Sequence, residues 1–246
     1  MSGKRLKSAK AQVDRLRLYQ PLEAVRLLKS FEGAKFDEAV EAHFRLGLNV
    51  RHADQQLRGS LMLPHGTGRT KTVAVFAQGE HARAAEEAGA DYVGADDLAT
   101  RVQEGWTDFD VALATPDMMA VVGRLGRVLG PQGKMPNPRS GTITFEIAKA
   151  VEEIKAGKIE YRTENRAGLV HVVIGRKSFE VEQLVENYAV VLEEILRVKP
   201  ASSKGRYIFS IALATTMGPG IKIDPGRTRD LLEERDSDAE PEAVTA

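Results

Sequence analysis

The stretch "TVAVFAQGEHARAAEEAGADYVG" (72–94) decides the architecture. It opens on TVAVFA (72–77), a short unbroken apolar run of the kind a strand buried on both faces shows. GEHARAAEEAG (79–89) follows, rich in Ala and Glu and stopped by Gly89, which predicts a helix. ADYVG (90–94) is a second strand. The alternation then continues through ADDLATRVQEGW (95–106), whose acidic opening suits a helix N-terminus, and FDVALA (109–114), another strand. TPDMMAVVGRLGRVLG (115–130) predicts a helix with Thr115 as N-cap and Pro116 in its first turn. Beyond the loop PQGKMPNPRSG (131–141), TITF is a last strand and EIAKAVEEIKAG (146–157) a last helix. Strands and helices in strict alternation predict β-α-β units and a mainly parallel sheet covered on both faces.

Outside this block the pattern changes. LEAVRLLKSF (22–31) has helical periodicity, whereas FDEAVEAHFRLGL (36–48) and QQLRGSLMLP (55–64) alternate like antiparallel strands around a turn region. KIEYRTENRAGLVHVVIG (158–175) reads as a hairpin with TENRAG at its tip, SFEVEQLVENYAVVLEEILRVKP (178–200) as a helix, and YIFSIALATT as a strand. Neither flank alone supplies a sheet large enough to bury a core; together they give about four strands and two helices. The expected fold is therefore α/β with two domains. One is a discontinuous α+β domain, an antiparallel sheet plus two helices, from residues 1–66 and 160–229. The other is an inserted Rossmann-like three-layer α/β domain, residues 67–159. The connections near PHGTG (64–68) and AGKIE (156–160) would form a two-stranded hinge.

The 246 residues carry a formal net charge of zero, but the charge is unevenly placed. Residues 1–66 hold twelve Lys and Arg against seven Asp and Glu, a net +5, and residues 160–229 hold eleven against eight, a net +3. The insert, with eleven against thirteen, is at −2, and residues 230–246, with one against seven, are at −6. A basic flanking domain beside a near-neutral insert makes a polyanion the natural partner of the former. The tail DLLEERDSDAEPEAVTA is expected to be disordered, since little in it repays ordering. No apolar run approaches the length of a membrane helix, and the basic opening MSGKRLKSAK leads into no apolar region, so neither membrane span nor secretory signal is expected. The absence of cysteine excludes disulfides, thiolate metal sites and a Cys nucleophile.

Enzymatic readings find little support. FAQGEHA lacks the three-glycine fingerprint of dinucleotide folds, and HGTGRTK (65–71) precedes the first strand instead of following one. In GPQGKMP, Met135 stands where a P-loop needs Ser or Thr. His43, His52, His65, His81 and His171 are scattered, with no metal-ligand spacing, and no serine lies in a nucleophile elbow. No catalytic residue, metal or cofactor is expected. A nucleotide or small-molecule binding protein using the inserted sheet is the alternative function.

Three segments point to a nucleic-acid surface. The loop LGRVLGPQGKMPNPRSGTIT (125–144), stiffened by glycines and prolines, projects Lys134 and Arg139 and is flanked by Arg124 and Arg127; it reads as a crossover or as a secondary phosphate-facing loop. GAKFDEA (33–39) puts Lys35 and Phe36 at the start of a strand, where the aromatic is either core or a contact to ribose or base. TTMGPG (215–220) ends a strand in small uncharged groups. That is either turn chemistry or a flat surface that admits a partner's backbone.

AKFDEAVEAHFRLGLNVRHADQQLRGSLMLPHGTGR, AEEAGADYVG, LGPQGKMPNPRSGTIT, KAGKIEYR and TTMGPG together resemble, over about residues 1–225, the family of the first-numbered large-subunit ribosomal protein. The resemblance implies a discontinuous domain with a Rossmann-like insert and a role as a structural constituent of the large subunit, ribosome-bound in the cytoplasm. It implies binding of large-subunit ribosomal RNA to form the mobile stalk that assists release of deacylated tRNA from the exit site. Repression of the protein's own operon mRNA is a further implied role, and other large-subunit components are implied neighbours, with one copy in each ribosome. The matching RNA-contact positions are Lys35, Phe36, His171, Ser210, Thr216, Met217 and Gly218, with Thr215 beside them. ADQQLRG and GPQGK, each by a residue or two, with the tip TENRAG, Pro219 and the acidic tail, depart from the commoner family pattern.

Overall fold

A computed structural model describes residues 3–164 and 166–226. The acidic tail, and Asn165 at the TENRAG tip, lie outside the described residues. The chain begins with α1 (Lys4–Ala11) and α2 (Pro21–Ser30), then β1 (Ala39–Leu46) and β2 (Arg58–Met62). The alternating block supplies β3 (Val73–Phe76), α3 (Glu80–Glu87), β4 (Tyr92–Gly94), α4 (Asp96–Gln103) and β5 (Val111–Ala114). It continues with the single turns α5 (Met119–Val122) and α6 (Gly126–Leu129), then α7 (Ile147–Lys155). The chain then runs through β6 (Lys158–Arg162), β7 (Leu169–Arg176), α8 (Val181–Arg197), β8 (Ile208–Thr215) and β9 (Ile221–Ile223).

The apolar stretch that opens the alternating block behaves as its composition demands. All four residues of β3 are buried, and β3 pairs in parallel with β4 on one side and β5 on the other. Ala74 and Phe76 face a cluster with Leu98, Val102, Phe109, Val122 and Leu125; Val73 and Val75 face one with Ala85, Leu113, Ile147 and Val151. The sheet is thus the middle of three layers, with α4 to α6 on one face and α3 and α7 on the other.

A third core cluster draws on both chain ends. It joins Ala24, Val25 and Leu28 of α2, Phe44 of β1, Ile174 of β7, Tyr188 and Leu192 of α8 and Leu213 of β8. The strands form an antiparallel sheet in the order β7-β1-β8-β9, while β2 and β6 form a separate two-stranded ladder. Period-two alternation puts Val40, Ala42, Phe44 and Leu46 beneath α2 and α8 and leaves the opposite face of the sheet open.

Several expectations are corrected. Among the described residues the flanks hold six strands and three α-helices, where about four and two are expected; α1 was not foreseen. β2 pairs with β6 and not with β1. The expected hairpin over 158–175 closes only at a Thr163–Val170 bridge, because its arms diverge into different sheets. TITF makes one bridge, Ala114 to Ile143, instead of a strand. The helix over 115–130 breaks into 3-10 and α turns around Gly123 and Gly126, residues of low helix propensity. Thr115 occupies the cap position with its carbonyl accepting from the Met118 N–H, and its side chain makes no capping bond.

The two connecting segments run side by side. A side chain on Gly157, whose φ is +111°, would meet Gly66 Cα at 2.5 Å, so glycine is required where they cross. Asn187, fully buried on α8, fastens this crossing. Its amide donates to the carbonyls of Gly66 (3.0 Å) and Ile174 (2.7 Å), and its Oδ1 accepts from the His65 N–H at 3.1 Å.

Candidate nucleic-acid interface

The open face of the antiparallel sheet carries a row of side chains fixed by register. His171 of β7 stands opposite His43 of β1, which stands opposite Ala212 of β8, itself opposite Lys222 of β9. The two imidazoles meet edge to face, with Nδ1 atoms 2.7 Å apart, so one donates and the other accepts. The outer nitrogens face carboxylates: His171 Nε2 lies 3.2 Å from Glu164 and His43 Nε2 3.8 Å from Glu41. Burial, and then the neighbouring His171, hold the His43 pKa below its ordinary value against the opposing pull of Glu41. Toward the far end of β8, Ser210 is exposed opposite Arg45, whose guanidinium lies 5.6 Å from the Phe209 ring centre.

At the other end of β8 the TTMG segment closes a tight turn, with the Gly218 N–H donating to the Thr215 carbonyl at 3.1 Å. A Cβ on Gly218 would stand 2.3 Å from Thr215 Oγ1, which accounts for glycine there. Thr215 itself is only 7% exposed, so it supports the turn from below instead of forming its surface. Thr216 is exposed but tied down: its N–H donates to the Ala39 carbonyl and its Oγ1 accepts from the Ala39 N–H, both at 3.0 Å. Met217 remains 51% exposed. Lys35 and Phe36 lie in the bend before β1, not on the strand, because β1 begins only at Ala39; Phe36 is 53% exposed.

One residue joins these two segments. Glu38 is 2% exposed, and its carboxylate accepts from the Ala34 N–H at 2.6 Å and from the Met217 N–H at 3.0 Å. Burial pushes its pKa up. The hydrogen bonds from the Thr215 hydroxyl, Ala34 and Met217, with the Lys177 charge, outweigh that and hold it below the ordinary value. Glu38 therefore stays ionised and clamps the Lys35–Phe36 bend to the Met217–Gly218 turn. Sequence reading missed it, since a carboxylate in FDEAV looks like a solvated charge; its only signal was its place at the mouth of a buried strand.

The residues expected on the insert differ in exposure. Arg124, Arg127 and Arg139 are exposed, but Lys134 turns inward, donating to the Thr107 carbonyl at 2.8 Å with its ammonium 5.3 Å from the Phe109 ring centre. A cleft of about 450 Å³ runs between the insert and β7, lined by Arg69, Lys71, Asp110, Lys134, Glu160 and Arg176 among others. Its cations are occupied by neighbours. Arg69 pairs with Asp110 at 3.2 Å, Lys71 donates to the Lys158 carbonyl at 2.6 Å, and Arg176 donates to the Asp37 carbonyl at 3.1 Å. Among the described residues no group of His, Asp or Glu could hold a metal ion, and no helix is long and apolar enough to cross a membrane.

The family described as the ribosomal protein L1p/L10e family matches residues 28–219. A large ribosomal subunit protein uL1 from Rubrobacter xylanophilus is 59% identical over 231 residues, covering 94% of this chain and 100% of the relative. A protein of the same name from Beutenbergia cavernae is 59% identical over 232 residues, covering 94% and 97%.

Proposed function

The chain belongs to the ribosomal protein L1p/L10e family, and from that premise we propose that its open sheet face and the adjoining TTMG rim bind structured large-subunit ribosomal RNA. It is a non-enzymatic structural constituent of the large ribosomal subunit, ribosome-bound in the cytoplasm. In the proposed reading the bound RNA and the protein form the mobile stalk beside the exit site. The stalk assists release of deacylated tRNA, and the same surface takes the RNA-like fold of the operon's own mRNA when the protein acts as a repressor.

The observation that carries this reading is the Glu38 clamp. It sets two half-exposed apolar side chains, Phe36 and Met217, on segments brought to one rim and backed by bonded main chain. Such a rim suits RNA, where bases stack on aromatic side chains and the ribose 2′-hydroxyl is read at close range by small groups. Thr216 and Gly218 are small enough for that approach, whereas a Lys or Arg would hold the RNA backbone away. Because the rim is ordered before binding, little conformational entropy is lost on contact. His171 and Ser210 extend the surface along the sheet, and Thr215 acts through the turn it supports.

The partition of the cores supports two domains, 1–66 with 160–229 and the insert 67–159, joined at the Gly66–Gly157 crossing as a hinge. The insert then projects from the RNA-gripping domain toward tRNA, with Arg124, Arg127 and Arg139 as secondary phosphate contacts. The reading is tested by titrating the protein with the stalk segment of large-subunit ribosomal RNA in the presence of excess unrelated RNA. Retention of the stalk segment is expected; displacement by the competitor would refute it.

A further inference from the structure

α1 is a helix whose own sequence works against it. Its eight residues, KRLKSAKA, carry four cations and no anion. Lys4 and Lys7, and Lys7 and Lys10, are like charges three residues apart, a spacing at which side chains are neighbours and repel. Lys4 and Arg5 sit in the first turn, at the positive end of the helix dipole, with no acidic residue there and no side-chain cap from Gly3. So short a helix is marginal alone in water even without these penalties.

Packing holds it in place nonetheless. Ala9 and Val13 are buried in the core, and Arg5 Nη1 donates to the Gly33 carbonyl at 2.7 Å, two residues before Lys35. Arg5, Leu6 and Ala9 line one side of a small crevice whose other side is Glu38, Thr215, Met217 and Gly218, so α1 abuts the TTMG turn directly. Lys4, Lys7 and Lys10 all remain exposed, and among the described residues none of them is paired with a carboxylate. Six residues of helix rise set the three charges along about 9 Å.

We infer that α1 is a phosphate-binding strip of the RNA interface, in which Lys4, Lys7 and Lys10 engage the backbone of the RNA that Met217 and Gly218 contact. The inference rests on the RNA-binding reading and adds to it a second, electrostatic element. A polyanion relieves the repulsion that the free helix carries, and fixed cations beside a shape-reading rim set register without reading sequence.

This predicts an unusual pairing of effects. In the full-length protein carrying Lys4→Gln, Lys7→Gln and Lys10→Gln together, the thermal midpoint stays the same or rises, because relief of the repulsion among the three charges offsets the loss of Lys10 from the last turn, where a cation suits the helix dipole. Affinity for the stalk segment near physiological salt falls by at least about tenfold, and the slope of log Kd against log salt becomes shallower by about 2. An unrelated RNA hairpin of the same length shows the same change in slope, since phosphate contacts carry no sequence information. An unchanged slope on both RNAs overturns the inference. So does a loss confined to the stalk segment with a lowered thermal midpoint, which would make α1 a brace for the turn. Failure of the wild-type protein to prefer the stalk segment would instead sink the functional reading, and the slope test on either RNA would still stand.

Discussion

The two larger sheets of this protein are built by opposite rules. In the parallel sheet the strands are short continuous apolar runs, and β3 is buried along its whole length between two helical layers. In the antiparallel sheet β1 alternates, with Val40, Ala42, Phe44 and Leu46 inward and Glu41, His43 and Arg45 outward. A sheet covered on both faces has only its loops and edges to offer a partner, whereas one covered on a single face offers a surface. The cations follow the same division. Those of the cleft beside the insert are consumed by internal carbonyls and carboxylates, while Lys4, Lys7 and Lys10 of α1 are exposed and, among the described residues, paired with no carboxylate.

The comparison is broken most severely at Glu38. Replacing it by Ala leaves the Ala34 and Met217 N–H groups without their buried acceptor, and is expected to cost about 2–4 kcal/mol of stability and to lower RNA affinity at least tenfold. Thermal unfolding and RNA titration of the same protein check both. A variant with normal stability and normal affinity would remove the clamp from the account. Next in size is Met217→Ala, expected to weaken binding of the stalk segment by ~1–3 kcal/mol with an unchanged thermal midpoint, because its side chain is half exposed and supports no core. If the midpoint fell and affinity held, the turn would be purely structural.

The insert sharpens the contrast by its smaller response. Lys134→Ala is expected to lower stability by about 1 kcal/mol through the lost bond to the Thr107 carbonyl. It should leave RNA affinity within about twofold, well under one hydrogen bond's worth. A large affinity loss would return the loop to the interface. The smallest effect concerns pH. The His43 pKa is depressed in the folded protein, so on acidification the unfolded chain takes up this proton first. Stability should therefore decline as pH falls below about 6.5, the decline continuing to the lower folded value, and His43→Gln should flatten that part of the thermal-midpoint profile. An identical profile for the variant would show that the pair titrates without consequence.

The alternating block was legible because its periodicity is local: strand, helix and turn each fit within a dozen residues. The flanks were legible as strands but not as pairings, since nothing in QQLRGSLMLP says that its partner lies about a hundred residues away in β6. The exposed members of the site, Phe36 and Met217, were readable as chemistry out of place, an aromatic and a thioether among turn residues. Thr215 was placed with them and is instead buried, because a one-residue step along a strand reverses the side chain's direction. Glu38 and α1 were invisible for a shared reason. Their meaning lies in what the fold sets beside them, and alone each is only a charge in a hydrophilic stretch.

The central claim, that recognition belongs to the open antiparallel sheet and its rim, is met most directly by one paired titration. Full-length protein carrying Met217→Ala is compared with full-length protein carrying Arg124→Ala, Arg127→Ala and Arg139→Ala, each against the stalk segment and against unrelated RNA. The account predicts that Met217→Ala loses affinity for the stalk segment alone, by about fivefold or more, while the arginine variant loses little and equally on both RNAs. Selective loss in the arginine variant, with Met217→Ala binding normally, would contradict it and move recognition to the insert.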